Sequence, residues 1–147
     1  MRIDAMTIPT PRGERRVLYV SDPSSIAINM FPDPVEEPDL RRWVDTVADS
    51  GVDTFDQEVF SQGWTVYWRS ENVEYDQRHQ LRRFLPMFER GRTPLEVLID
   101  QCRKRDLNFI AGFRVNDNHA FQARQQGLPI AGFIESNPDL CMQEFPP

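Results

Sequence analysis

The most regular pattern of apolar and polar positions lies in residues 93–119, TPLEVLIDQCRKRDLNFIAGFRVNDNH. Leu95, Leu98, Ile99 and Cys102 recur at i, i+3, i+4 and i+7, the spacing of a single helix face. Thr93 suits the N-cap and Pro94 the first helical position, and Glu96 completes a Thr-x-x-Glu capping box. Asp100 and Lys104 stand four apart with the acid first, which predicts a helix-surface ion pair. From Leu107 the period falls to two. Leu107, Phe109, Ala111, Phe113 and Val115 share one face, and Asn108, Ile110, Gly112, Arg114 and Asn116 share the other. The middle of this strand is almost free of polar residues, which predicts cover on both faces, as in a parallel sheet.

The same pairing of helix and strand occurs once before. Leu40, Trp43, Val44, Val47 and Ala48 follow a helical period from about Pro38, and Gly51 suits the residue after the helix. Residues 52–60, VDTFDQEVF, form the strand. The two units echo each other 55 residues apart: Leu40 with Leu95, Val44 with Ile99, Asp45 with Asp100, Val52 with Leu107. Asp106 holds the stop position that Gly51 holds in the first unit, and is a poorer residue for it. Upstream, residues 14–22, ERRVLYVSD, read as a short strand, preceded by a lead-in at 1–13 and followed by a Pro- and Ser-punctuated loop to Pro38.

Between the second strand and Thr93 lies an insertion, 61–92. Its first half carries Trp64, Tyr67, Trp68 and Tyr75; its second half sets Leu81, Phe84, Leu85 and Phe88 at helical spacing, with Pro86 kinking or shortening the helix. His79, among Gln and Arg, reads as a surface residue. Residues 120–127 suggest a short helical piece, and the remainder has no strong period. Strand, helix, strand, helix, strand is the alternation of an α/β fold with a parallel sheet, here a single domain over 14–147.

The composition narrows the function. A formal net charge of −6 and a pI near 4.9 offer no surface for a polyanion, so nucleic acid is not an expected partner. No stretch reaches the length of a membrane span, and the N-terminal MRIDAMTIPTPRGERR lacks the apolar run of a signal peptide. Cys102 and Cys141 stand alone without metal spacing, which suggests reduced thiols and a cytoplasmic setting. No cofactor motif is present.

Polar chemistry gathers where the strands stop: Asp22 after the first, Asp56 and Glu58 on the second, Arg114, Asn116, Asp117 and His119 at the third. In α/β proteins ligands bind at the carboxyl ends of the strands. The R-x-N-D-x-H run also reads as a turn, but an inward guanidinium needs an acidic or ligand partner, and Asp56 or Glu58 on the neighbouring strand is the acid expected for Arg114. Asn118 reads as a turn residue. Carboxylates and amides pair with hydroxyls and aromatic rings cover C–H surface, so the set suits a carbohydrate or other polyhydroxylated small molecule, with Trp64, Tyr67 and Trp68 on the long loop in the aromatic role. Loop packing explains those aromatics equally well. A metal site from Asp22, Asp117 and His119 is a third option, without HxH or HExxH spacing behind it.

The runs RRVLYVSDPSSI, LRRWVDTVADSGVDTF and PLEVLIDQCRKRDLNFIAGFRVNDNH resemble the N-terminal part of glycosyl-hydrolase-like (β/α)8 barrel proteins of bacteria. The resemblance covers about residues 14–140, and Arg114, Asn116, Asp117 and His119 match the family's R-x-N-D-x-H motif at the third strand. Asp106 departs from the pattern, where glycine is more usual. The resemblance implies an incomplete (β/α) TIM-type barrel of three parallel strands. It also implies the substrate-binding portion of a carbohydrate-active enzyme, a piece of a longer protein whose catalytic carboxylate pair lies on later strands. A barrel needs about 250 residues and hydrolysis two carboxylates across the scissile bond, so the 147-residue chain alone is expected to be inactive. A non-catalytic binding or assembly module and a metal-dependent hydrolase are the alternatives, and open sheet edges predict self-association.

Overall fold

The computed structural model describes residues 16–61, 65–76, 78–114, 124–125, 127–128 and 130–140. Strand β1 (Leu18–Ser21) leads into helix α1 (Pro23–Asn29) and helix α2 (Glu37–Asp49), then strand β2 (Thr54–Glu58). A small antiparallel pair, β3 (Phe60–Ser61) and β4 (Thr65–Val66), and two short helices, α3 (His79–Arg82) and α4 (Leu85–Glu89), make up the insertion. Helix α5 (Pro94–Lys104), strand β5 (Asn108–Gly112) and helix α6 (Gly132–Ser136) follow. The fold is α/β: β1, β2 and β5 form a three-stranded parallel sheet in sequential order.

The register sets the two faces of the sheet. Tyr19, Phe55 and Phe109 stand in one row and point to the helices; Val20, Asp56 and Ile110 stand in the next and point away. The helical side holds the core, where Leu40, Val44 and Val47 of α2 meet Phe55, and Val97, Leu98 and Cys102 of α5. Between the two helices Gln101, almost fully buried, accepts from Arg41 Nη1 at 2.9 Å and donates to Asp45 Oδ1 at 2.7 Å. A buried amide with both ends satisfied fixes how one helix lies on the other.

Several expectations are corrected. The last strand is not covered on both faces: Ile110, on the face turned away from the helices, is 44% exposed, and no described helix is placed over it. The buried face of α5 is Pro94, Val97, Leu98, Gln101 and Cys102, with Leu95 and Ile99 half-buried. The helix is turned because it must meet both α2 and the insertion. Counted by burial, Leu40, Val44 and Val47 correspond to Pro94, Leu98 and Gln101, one residue closer than the 55-residue echo, as do Thr54 and Asn108 in the sheet. Asp100 pairs with Arg92 Nη2 at 2.7 Å, which holds its carboxyl below the usual range; Lys104 is not its partner.

The expected loop after Asp22 contains a helix. Asp22 caps it, accepting from Ser24 N at 2.9 Å and Ser24 Oγ at 2.8 Å, and Pro23 starts it. Residues 132–136 are also helical, where the sequence has no clear period. Pro86 does split the insertion's helical stretch, into α3 and α4. The Thr93–Glu96 capping box is present, with Glu96 Oε2 accepting from Thr93 N at 2.8 Å. His79 is exposed, as expected of a surface residue.

No described helix is long and apolar enough to cross a membrane.

Candidate strand-end site

Parallel pairing brings the carboxyl ends of β1, β2 and β5 to one side. The ends of β1 and β2 are tied together by Gln57, whose Nε2 donates to Ser21 O at 3.0 Å and to Glu58 O at 3.2 Å from a nearly inaccessible position. The β2–β5 ladder runs one step further through Val59 N to Gly112 O at 2.9 Å. Glu58 and Arg114 are therefore carried on a braced edge.

Arg114 Nη2 donates to Glu58 Oε1 at 2.9 Å, the partner being one of the two that its strand position implies. Burial raises the Glu58 carboxyl above its ordinary value; Arg114 opposes that, and the nearby carboxylates of Asp22 and Asp56 add to it. Of the three carboxylates, Glu58 alone is paired with the guanidinium; Asp22 and Asp56 lie close enough to Glu58 to act on its charge. Asp22 is partly committed to capping α1. Asp56 projects from the middle of the uncovered sheet face between Val20 and Ile110, and its Oδ1 is buried without a hydrogen-bond partner among the described residues.

Gly112 makes room for Asp56: a Cβ there would meet Asp56 Oδ1 at 2.5 Å and Asp56 Cγ at 3.4 Å. Sequence reasoning missed this residue. A glycine inside a strand signals close approach of a neighbour, and that was the available clue. Gln57 was missed too, because a polar residue in a strand gives no hint that it faces the core.

The remaining predicted site residues separate from this group. Trp68 lies in the insertion, edge-on to Tyr67 with ring centroids 5.7 Å apart, and faces a groove with Tyr75, Leu85 and Phe88. Tyr67 is a core residue, 1% exposed; its Oη lies beside the Gln57 amide without a hydrogen bond of ordinary geometry, and burial pushes its phenol well up. For Tyr67 loop packing is the right account. Trp64, Asn116, Asp117 and His119 lie outside the described residues, so the R-x-N-D-x-H run is represented by Arg114 alone. The Asp22, Asp117 and His119 metal option falls there as well. Among the described residues no three His, Cys, Asp or Glu side chains come together as a metal site would need.

Chemically, the described group offers hydrogen-bond acceptors around one held cation, with one carboxyl shifted toward protonation. No family model matches the chain, and no curated protein matches it at significant similarity.

Proposed function

We propose that this chain supplies the substrate-binding rim of a carbohydrate-active, glycoside-hydrolase-like enzyme of (β/α)8 barrel type. The observation that carries the reading is the Glu58–Arg114 pair, flanked by Asp22 and Asp56, at the carboxyl ends of parallel strands. Carboxylates bind the donors of vicinal hydroxyls and a guanidinium binds their oxygens, so the group suits a sugar edge. Sequential strand order with α2 and α5 on one face is how such a barrel begins, and further strands complete it in this reading.

Hydrolysis needs a proton donor and a second carboxylate across the scissile bond. Glu58 is tied to Arg114 with Asp22 and Asp56 nearby, an arrangement for holding a substrate, and in this reading the catalytic pair belongs to later strands. The 147-residue chain is expected to bind neutral saccharides weakly, with no turnover of aryl glycosides. Glu58→Gln and Arg114→Met should each weaken binding in titration calorimetry. Absence of binding to a broad saccharide panel would overturn the proposal. So would turnover, in a preparation free of host enzyme, that is lost with Glu58→Gln.

A second reading, an assembly module, draws on the uncovered sheet face, where Leu18 (51%), Val20 (55%) and Ile110 (44%) are exposed. Concentration-dependent mass without any glycan binding would favour it.

A further inference from the structure

We propose that Asp56 is the recognition point for a protonated amine on the bound ligand, which makes the ligand of the strand-end site an amino sugar. The sugar rests on the carbohydrate reading above; the amine rests on Asp56 and its surroundings.

Asp56 stands on the middle strand of the sheet, on the face turned away from the helices, with Val20 opposite it on β1 and Ile110 on β5. Those two side chains are 55% and 44% exposed and carry no hydrogen-bond donor. Toward the amino ends of the strands, the next pair on this face is Thr54 and Asn108. Thr54 Oγ1 donates to Asp53 Oδ1 at 2.6 Å and Asn108 Nδ2 to Asp53 O at 3.3 Å, so both are turned to other acceptors. Toward the carboxyl ends Glu58 stands opposite Gly112. Arg114, two residues past the end of β5, is held there by Glu58 at 2.9 Å. Asp56 is thus left without an ion pair or hydrogen bond among the described residues.

The carboxylate is also fixed in place. Its Oδ1 is buried and leans over Gly112, where a Cβ would meet it at 2.5 Å. With that oxygen covered, the half-buried side chain meets a ligand through Oδ2. A partly desolvated carboxylate without a donor is costly, and a donor brought from outside offsets the cost.

Charge decides which donor. Among the described residues the strand-end group has three carboxylates and one guanidinium, and the guanidinium is already paired with Glu58. Burial first, and then Asp22 and Asp56, raise the Glu58 carboxyl against the pull of Arg114, as a negative local field does. A hydroxyl gives Asp56 a hydrogen bond but leaves its charge. An ammonium supplies both, in a bond roughly twice as strong. A divalent cation needs more ligands than are gathered here, since no three His, Cys, Asp or Glu side chains come together among the described residues. Val20 and Ile110 then meet the C–H groups of the ring that carries the amine.

The test titrates the full chain by NMR with the methyl glycosides of glucosamine, galactosamine and mannosamine, the matching neutral methyl glycosides, and cyclohexylamine. Ionic strength is constant and the pH lies below the amines' own pKa. At least one amino glycoside should bind about tenfold tighter than its neutral match. Asp56→Asn should bring that ratio close to one. Gly112→Ala, which turns the carboxylate aside without removing it, should lower the ratio several-fold. Glu71→Gln removes an exposed carboxylate from the insertion and should leave the ratio unchanged. Should Asp56→Asn fail to fold by circular dichroism, Gly112→Ala carries the comparison. A wild-type ratio near one, a ratio that survives Asp56→Asn, or one lowered equally by Glu71→Gln overturns the inference. If the neutral glycosides still bind in that case and Arg114→Met weakens them, the strand-end reading survives. Cyclohexylamine bound as tightly as the amino glycosides, with the same loss in Asp56→Asn, supports the amine site and overturns the carbohydrate reading. No binding of any probe overturns both.

Discussion

A methyl group added at Gly112 would sit 2.5 Å from Asp56 Oδ1, too close to remain, yet the atom it meets ends a short side chain that can turn aside. Gly112→Ala should therefore cost only about 1 kcal/mol. The cost should largely vanish in an Asp56→Ala background, in a double-mutant cycle followed by urea unfolding. Glu58 supplies a pH signature. Its folded carboxyl is raised, first by burial and then by Asp22 and Asp56, so the folded chain holds that proton to higher pH than the unfolded chain does. The stability linked to it is full below the ordinary value of 4.5 and is lost as pH rises through the raised folded value. Removing the opposing cation with Arg114→Met should raise it further, read from the Glu58 carboxyl carbon in an NMR titration. The Arg114 partner was legible in the sequence because strand alternation puts Arg114 and the β2 acids on one face. The role of Gly112 was not, because its paired residue is Glu58 and the crowding comes from Asp56 two positions back, a side-chain direction that alternation does not give.

At the scale of elements, the two helix ends that precede strands solve one problem with different residues. Gly51 has φ +82° and Asp106 φ +55°, both in the left-handed region. Glycine takes that region freely and aspartate at some cost. Asp106→Gly should stabilise by roughly 0.5 kcal/mol and Gly51→Ala should destabilise by about 1 kcal/mol. Thermal unfolding of the two variants checks opposite signs at matched positions. The capping box at Thr93 and the existence of α2 and α5 could be read from pattern, because both are local. The orientation of α5 could not: Leu95 and Ile99 complete a regular stripe, but the helix turns to bury Pro94, Val97 and Gln101 against α2 and the insertion. Helix α1 was hidden for another reason. Its Pro and Ser residues look like loop punctuation until Asp22 is recognised as a cap.

For the molecule as a whole, the parallel sheet was legible from the alternation of elements, but the exposure of one of its faces was not, because the apolar run of the last strand reads as covered on both sides. Leu18, Val20 and Ile110 lie on that face, and β1 and β5 are both edges within the described residues. Unpaired edges beside exposed apolar rows favour chain-to-chain pairing. Light scattering at tens of micromolar should show mass rising with concentration, on the order expected for weak dimers or larger species. Leu18→Lys with Ile110→Lys should suppress that rise while leaving the melting temperature nearly unchanged, since both positions are already exposed. A monodisperse wild-type monomer would contradict the expectation.

The insertion has a consequence for motion. Tyr67, Leu81, Phe84, Met87 and Phe88 are five of the thirteen side chains in the main buried cluster, and all five come from the β2–α5 connection. Arg83 adds a bond to Phe31 O and Val35 N donates to Arg83 O, stitching it to the segment after α1. A segment anchored this way cannot swing open as a lid without pulling apart the interior it helps to fill. Whatever enters the groove at Trp68 meets walls already in place, so its arrival should follow single-exponential kinetics with an observed rate linear in ligand concentration, free of the slow plateau that a closing loop imposes.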